Sequence, residues 1–96
     1  RINGTIIVDD GCATAVIHKG ASILPAGIID VEGQFEPGDT ISIIYKGKEI
    51  GRGLVNYSTA DLFLIKGHNS ADIADILGIN ATYDEVVHRN NLVLIH

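Results

Sequence analysis

The sequence predicts a small, mainly β domain: a barrel of five or six short strands with two or three short helices. The chain has 96 residues, which is enough for one domain with a single hydrophobic core but close to the lower size limit. Sixteen residues are isoleucine and none is tryptophan, and β-branched side chains favour strands over helices. The apolar residues come in short runs between turn residues, with no repeat, low-complexity segment or internal linker.

The first part of the chain predicts a strand, a helix and a second strand. TIIVD (5–9) is a short apolar run of the kind that forms a strand. Apolar residues then recur at helical spacing, with Asp10 as the predicted N-cap and Gly20 as the predicted end of the helix. IIDVEG (28–33) is the second predicted strand, and FEPGD (35–39) is a turn centred on its Pro-Gly pair.

The middle of the chain predicts a β-hairpin. TISIIY (40–45) alternates in the manner of a strand, KGK (46–48) turns the chain, and EIGRGLVNY (49–57) returns as the partner strand. Gly51 and Gly53 lie on one face of the returning strand, which indicates a bulge or the close approach of another backbone.

The last part of the chain predicts two short helices and a broken strand. STAD (58–61) is a helix N-terminus signature, and a second helix opens at Ser70 and closes at Gly78. EVVHRNNLVLI (85–95) predicts strand, a polar break at 89–91, and strand again.

Composition limits which binding partners and which cellular compartment are expected for this chain. The formal net charge is −5, from seven Lys and Arg against twelve Asp and Glu, whereas nucleic-acid binders usually carry a basic surface. No apolar run reaches the length of a membrane helix and no secretory signal is visible, so no membrane partner is expected. Cys12 is the only cysteine, which excludes an internal disulfide and fits a reducing cytosol.

Because the chain starts at Arg1 and contains no methionine, we expect it to be a piece of a longer protein.

Three stretches of the chain carry a resemblance to a known family. GASILPAGI followed by F-x-x-G-D (20–39) is the pattern shared by PUA domains in general. LVNYS and IKGHNSADI (54–73), then VVHRNN (86–91), resemble the PUA domain at the C-terminus of bacterial glutamate 5-kinases more than those of RNA-modifying enzymes. The likeness covers nearly the whole chain.

This resemblance implies a PUA-like pseudo-barrel of five to six strands, forming a single domain over residues 1–96. It also implies a cytoplasmic, homo-oligomeric parent enzyme whose N-terminal amino-acid-kinase domain is absent from these residues. That enzyme family uses ATP and Mg²⁺ to phosphorylate the γ-carboxylate of L-glutamate in proline synthesis, and proline inhibits it. Since its catalytic, nucleotide and glutamate sites belong to the kinase domain, no catalytic, cofactor or metal residue is carried onto this chain.

The stretch KGASILPAGI (19–28) is the candidate contact with a partner. In PUA domains that bind RNA, this loop and the following strand lie against the nucleic-acid backbone. The resemblance therefore implies that Lys19 contacts a phosphate group. A purely structural alternative is that Ile23 and Leu24 fold inward and plug one end of the barrel. Arg52 joins the patch if the barrel brings it near Lys19. The candidate contacts with structured RNA or another partner are Lys19, Gly20, Ala21, Ser22, Pro25, Gly27 and Arg52.

The remaining reactive or aromatic residues favour structural roles. Phe35 and Phe63 are expected in the core, which leaves few aromatic rings for base stacking. The histidines lack metal-ligand spacing, and the one at 88 is expected to be a hydrogen-bonded structural residue. Cys12, near a helix N-terminus, is expected to be buried and not activated. The four histidines are His18, His68, His88 and His96.

Three functions therefore remain open from the sequence. The first is a non-catalytic accessory domain of a kinase, with a regulatory or structural role. The second is an RNA-binding module that docks structured RNA. The third is a purely structural or dimer-forming surface. A stand-alone enzyme is not expected, because no nucleophile–base set, metal cluster or phosphate loop is recognisable.

Overall fold

The computed structural model describes residues 1–95, so His96 lies outside the described part of the chain. Its centre is a five-stranded mixed sheet with strands in the order β2-β1-β3-β4-β5. The prediction of a mainly β domain with short helices is confirmed. The strands are β1 (Gly4–Val8), β2 (Ile28–Gly33), β3 (Thr40–Tyr45), β4 (Lys48–Leu54) and β5 (Leu92–Leu94). The helices are α1 (Asp10–Lys19), α2 (Thr59–Ile65) and α3 (Ile73–Leu77), with 3₁₀ turns at Pro25–Gly27, Ser70–Asp72, Gly78–Asn80 and Arg89–Asn91.

The first strand lies inside the sheet, not at its edge. β1 pairs antiparallel with β2 on one side and parallel with β3 on the other. β3 and β4 form the predicted hairpin, whose turn places Lys46 at φ 48° and Gly47 at φ 78°. Two consecutive positive φ values match the right-handed twist of the flanking strands.

Helix α1 is capped one residue earlier than predicted. The carboxylate of Asp9 accepts a hydrogen bond from the backbone N–H of Cys12 at 2.8 Å, so Asp9 is the N-cap and the prediction of Asp10 is wrong by one position. Asp10 is instead the first helical residue, and its carboxylate accepts from the Tyr45 hydroxyl. The predicted end is confirmed, because Gly20 adopts the left-handed conformation at φ 61°.

The two later helices begin and end near the predicted residues. The Ser58 hydroxyl accepts from the backbone N–H of Asp61 at 3.2 Å and caps α2. A 3₁₀ turn opens at Ser70 and leads into α3, which Gly78 closes. Phe63 is 59% exposed, so its predicted place in the core is wrong. It points away from the sheet because α2 buries Leu62 and Ile65 instead.

The hydrophobic core fills the space between the inner side of the sheet and the three helices. It is dominated by β-branched side chains, as the composition predicts, and is extended by a buried Phe35 and Tyr57. The fully buried members include Ile6, Val8, Val16, Ile23, Ile41, Ile43, Val55, Leu62, Ile65, Val86 and Val87.

The C-terminal stretch is less regular than predicted. Val87 makes an isolated bridge to Ile23, the polar break is a 3₁₀ turn, and only Leu92–Leu94 form a strand. This strand lies very close to the glycines of β4. A Cβ atom built on Gly51 would lie 2.8 Å from the carbonyl oxygen of Val93, so the predicted close backbone approach is confirmed.

Candidate functional site

The candidate loop begins where α1 ends and is tied to the C-terminal part of the chain. The backbone N–H of Ala21 donates to the carbonyl of Ala15 at 3.1 Å, which closes the last turn of the helix. Further along, Ile23 donates to the carbonyl of Val87 at 2.9 Å, and its own carbonyl accepts from Val86 at 2.8 Å. The middle of the loop is therefore fixed by backbone hydrogen bonds.

The loop residues divide into an inward and an outward set. Ile23 is 0% exposed and Pro25 is also buried, whereas Leu24 is 46% exposed. The structural alternative is correct for Ile23 but wrong for Leu24, which points outward. Pro25 supports the fold, since its ring is buried and its carbonyl accepts from the backbone N–H of Gly67 at 2.8 Å.

Besides Leu24 and Ala26, the outward set includes the two ends of the loop. Lys19 and Gly20 are exposed, and Ala21, Ser22 and Gly27 are half-buried. Gly27 has a packing role of its own, since a Cβ atom there would lie 2.5 Å from the Cβ of Cys12. The loop therefore offers a partner the lysine side chain, the backbone around Lys19–Ser22 and the apolar side chain of Leu24.

The structure brings Arg89, which the sequence did not single out, to this loop. Its backbone N–H donates to the hydroxyl of Ser22 at 2.8 Å. In the same turn the imidazole of His88 accepts from the backbone N–H of Asn90 at 3.1 Å, which gives this histidine the structural role expected for it. The signal for Arg89 in the sequence is the VVHRNN stretch, but its contact depends on a pairing across 67 positions.

Arg52 has a partner of its own on the outer side of β4. Its guanidinium donates to both carboxylate oxygens of Glu49, at 2.9 and 3.1 Å. The hydroxyl of Ser42 donates to the same carboxylate at 2.5 Å. These hydrogen bonds hold the pKa of Glu49 below its usual value, and those from Arg52 have a larger effect than the one from Ser42. The positive charge of Arg52 is thus matched within the sheet.

A shallow depression links Arg52 to the polar turn. It is lined by Thr40, Arg52, Leu54, Val93 and the two asparagines of the turn, Asn90 and Asn91. The turn 88–91 therefore lies between the loop at Ser22 and the side chain of Arg52. That Lys19 and Arg52 form one patch stays a prediction, because the hydrogen bond joins the turn to Ser22 and the depression joins it to Arg52, but neither reaches Lys19.

Cys12 is poorly suited to nucleophilic chemistry. The pKa of its thiol is raised to about 11, mainly by burial and to a smaller extent by the nearby carboxylate of Asp9. Because the thiolate is the reactive form, the thiol is nearly all protonated at neutral pH. The expectation of an unactivated cysteine agrees with this environment, although Cys12 is half-buried and not fully buried as predicted.

Metal-binding clusters and membrane-spanning helices are absent from the described residues. Within residues 1–95, no group of three or more His, Cys, Asp and Glu side chains is arranged to hold a metal ion. No helix in the same part of the chain is both long and apolar enough to cross a membrane.

Comparison with known protein families identifies the domain. The family model described as the PUA domain matches residues 4–77, which is most of the chain. The chain belongs to the PUA domain family. The sequence resemblance and the expected fold are both confirmed.

Curated relatives of this PUA domain are much longer proteins. Glutamate 5-kinase of Caldanaerobacter subterraneus subsp. tengcongensis is 47% identical over 99% of this chain and 26% of that protein. Glutamate 5-kinase of Dictyoglomus thermophilum is 50% identical over 97% of this chain and 25% of that protein. The matching part is the C-terminal region of these kinases. The chain thus spans about a quarter of the length of the relatives it matches.

Solved structures support the fold independently. A PUA domain from Aeropyrum pernix K1, crystallised as a tartrate complex, covers 90% of this chain and 41% of its own, with 24% identity and a TM-score of 0.64. A conserved PUA domain protein from Thermoplasma acidophilum covers 98% of this chain and 48% of its own, with 17% identity and a TM-score of 0.58. At these identities the likeness concerns the fold alone.

Proposed function

We propose that this PUA domain is a non-catalytic accessory domain of a glutamate 5-kinase and modulates that enzyme without taking part in its chemistry. The observation that carries the proposal is the identity of 47–50% to two glutamate 5-kinases over nearly the whole chain. The parent enzyme transfers a phosphoryl group from ATP, with Mg²⁺, to the γ-carboxylate of L-glutamate. It works in the cytoplasm as a homo-oligomer, and the domain's role is regulatory or structural.

The chemistry of the domain supports an accessory role. Its thiol is protonated at neutral pH, and His88 is engaged in capping a turn. Arg52, one of the predicted contact residues, is already bound to Glu49. ATP and Mg²⁺ therefore belong to the kinase domain in this proposal, and the PUA domain acts on it through contact.

Deleting residues 1–96 from the complete polypeptide tests this function. We expect the truncated enzyme to phosphorylate glutamate detectably while its response to proline or Mg²⁺ changes, because the active site lies outside the deleted part. Initial rates at several proline and Mg²⁺ concentrations measure the effect. The complete chain carrying Lys48→Ala, a change at the exposed hairpin, is the control and should respond normally. A folded truncation that has lost all turnover would contradict the proposal.

RNA binding is the second candidate function. The hydrogen bond between the backbone of Arg89 and the hydroxyl of Ser22 favours it. This hydrogen bond places the exposed Arg89 on the loop that carries Lys19, and neither side chain forms an ion pair within residues 1–95. Two exposed basic side chains, one on the loop and one on the turn that is hydrogen-bonded to it, suit phosphate contacts. The net charge of −5 weighs against a strong interaction.

Paired charge reversals test RNA binding. The Lys19→Glu/Arg89→Glu variant is expected to weaken binding of structured RNA and to reduce the slope of log affinity against log salt by about 2, one for each phosphate that is no longer neutralised. Lys46→Glu/Lys48→Glu makes the same change in charge at the hairpin and should leave a specific site nearly unaffected. Filter binding between low and moderate salt measures both. Equal weakening in the two variants, or undetectable binding in low salt, would exclude the site.

A further inference from the structure

Three isoleucine pairs lie on neighbouring strands at one end of the sheet. They are residues 6–7 in β1, 28–29 in β2 and 43–44 in β3. The pairs in β1 and β3 are directly opposite each other, whereas the pair in β2 lies at a bulge where Ile28 is opposite Val8. In each pair the first side chain is buried in the core, with exposures of 0%, 3% and 0%. In β1 and β3 the second side chain faces the other side of the sheet, because successive residues of a strand point in opposite directions. In β2 the second residue, Ile29, is the extra residue of a bulge, and its side chain is exposed. These outward side chains are Ile7, Ile29 and Ile44.

The three outward isoleucines meet in one shallow depression. Ile7 and Ile44 are directly opposite each other in the parallel pairing of β1 with β3. Ile29, on the other side of β1, lines the same depression and is 57% exposed. We call this set of three side chains the outer isoleucine patch.

An apolar patch at this place is unusual for a sheet with one solvated side. Such a sheet alternates apolar inward residues with polar outward ones, whereas strands buried on both sides have continuous apolar runs. Ile6–Val8 and Ile43–Ile44 are runs of the second kind. The outer side of the sheet is therefore built to be covered at this end, but the described chain leaves Ile29 exposed and Ile7 and Ile44 only half-buried.

The border of the patch is mainly acidic. Asp9 and Asp10 line it at the start of α1, and Asp30 pairs with Ile7 across the ladder. Lys46, whose ammonium lies 3.9 Å from the carboxylate of Asp10, is the basic residue that lines it. The two carboxylates that line the depression outnumber its one ammonium, and Asp30 lies next to Ile7, so the charges favour a partner surface whose border is basic.

This charge pattern disfavours a second copy of the same domain. A two-fold contact would place the patch against itself, so the carboxylates of one copy would face those of the other. Like charges brought together in this way oppose association. The occupant is therefore a different surface with an apolar centre and lysine or arginine side chains around it.

The strand that carries Ile7 also leads toward the rest of the polypeptide. The relatives match this chain over only about a quarter of their length, in the C-terminal region. Any segment ahead of Arg1 joins the domain six residues before Ile7, a distance of at most about 20 Å in extended chain. Domains of one polypeptide typically share an interface of roughly 600–1,500 Å².

We propose that the outer isoleucine patch and its acidic border are the surface on which the kinase domain of the same polypeptide docks. This inference rests on the proposed function and adds the contact surface. The kinase domain covers Ile7, Ile29 and Ile44 with apolar side chains and meets the aspartates with basic ones. Through this contact the PUA domain senses or restrains the kinase domain.

Thiol labelling of the complete polypeptide tests the proposal. Ile29→Cys, made with Cys12→Ala and with any other exposed cysteine replaced, puts a reporter in the patch. Phe63→Cys in the same background is the matched control, because Phe63 on α2 is 59% exposed against 57% for Ile29. Each maleimide labelling rate is divided by the rate of the same variant in denaturant.

We expect the Ile29→Cys thiol to react at least about tenfold more slowly than the Phe63→Cys thiol, since a docked population of ten to one reduces access by that factor. Similar fast rates at both positions would overturn the proposal. A slow rate at Ile29→Cys that becomes fast on dilution would overturn it in favour of a second copy.

The result separates this inference from the proposed function. A polypeptide with a working kinase domain, a changed proline response after deletion and fast labelling at Ile29→Cys would keep the proposed function and reject the docking surface. A polypeptide with no kinase domain would reject the proposed function before any labelling is done.

Discussion

Replacing Gly51 with alanine is expected to destabilise the domain by about 1–3 kcal/mol, the usual cost of forcing an extra methyl group into a packed site. The added Cβ atom would lie 2.8 Å from the carbonyl oxygen of Val93, which is backbone and has no rotamer to change. β5 must then move away from β4, and their three-residue ladder weakens. Urea unfolding followed by far-UV circular dichroism measures the loss of stability.

Gly11→Ala is the matched control for this substitution. Gly11 lies in α1, and the nearest atom to a Cβ built there is a side-chain oxygen of Asp9 at 3.7 Å, an ordinary contact. Alanine is a better helix residue than glycine, so this variant should be more stable by up to about 1 kcal/mol. Opposite signs for the two variants support the role of backbone contact at Gly51. Equal stability of Gly51→Ala and the wild type would show that β5 is not held as described.

Replacing Tyr57 with phenylalanine is the second change with a large expected effect. Tyr57 is 2% exposed, and its hydroxyl both donates to the carbonyl of Tyr83 and accepts from the backbone N–H of Tyr83, the latter at 2.8 Å. Removing the hydroxyl leaves both backbone groups without this partner, which we expect to cost about 1–3 kcal/mol. The stretch before Val86 should also loosen, because the hydroxyl ties it to the core.

Two measurements check the tyrosine prediction. Urea unfolding gives the change in stability, and amide hydrogen exchange reports opening of residues 81–86. Tyr45→Phe is the control, since it removes a hydroxyl whose bond to Asp10 is exposed. That variant should stay within about 0.5 kcal/mol of the wild type. If both tyrosine variants are destabilised equally, the buried hydroxyl has no special role.

The parts of the fold that follow from local chemistry could be predicted from the sequence. Gly20 ends α1 because the chain needs a left-handed residue there, and Ser58 caps α2 with its own hydroxyl. The hairpin turn at Lys46–Gly47 also depends on local chemistry, because both of its residues adopt positive φ values. Each of these depends on residues within one turn of the chain, where sequence patterns carry the information.

The parts that failed depend on neighbours far away in sequence. Phe63 and Leu62 are equally apolar, and only the position of the sheet decides which of them is buried. Arg89 reaches the candidate loop through Ser22, and no local pattern predicts that contact. Arg52 is a different case, because Glu49 is only three residues away on the same strand. The signal for that ion pair is local, and the phosphate hypothesis for the arginine did not take it into account.

The position of β1 has a mechanical consequence. A pull applied at Arg1 acts along a strand that is held on both sides, by β2 and by β3. The hydrogen bonds run across to the neighbouring strands, perpendicular in the antiparallel ladder and slanted in the parallel one, so those of both ladders resist such a pull together instead of opening one at a time. Tension applied through a preceding domain would therefore move this domain as a rigid body before it unfolds the domain.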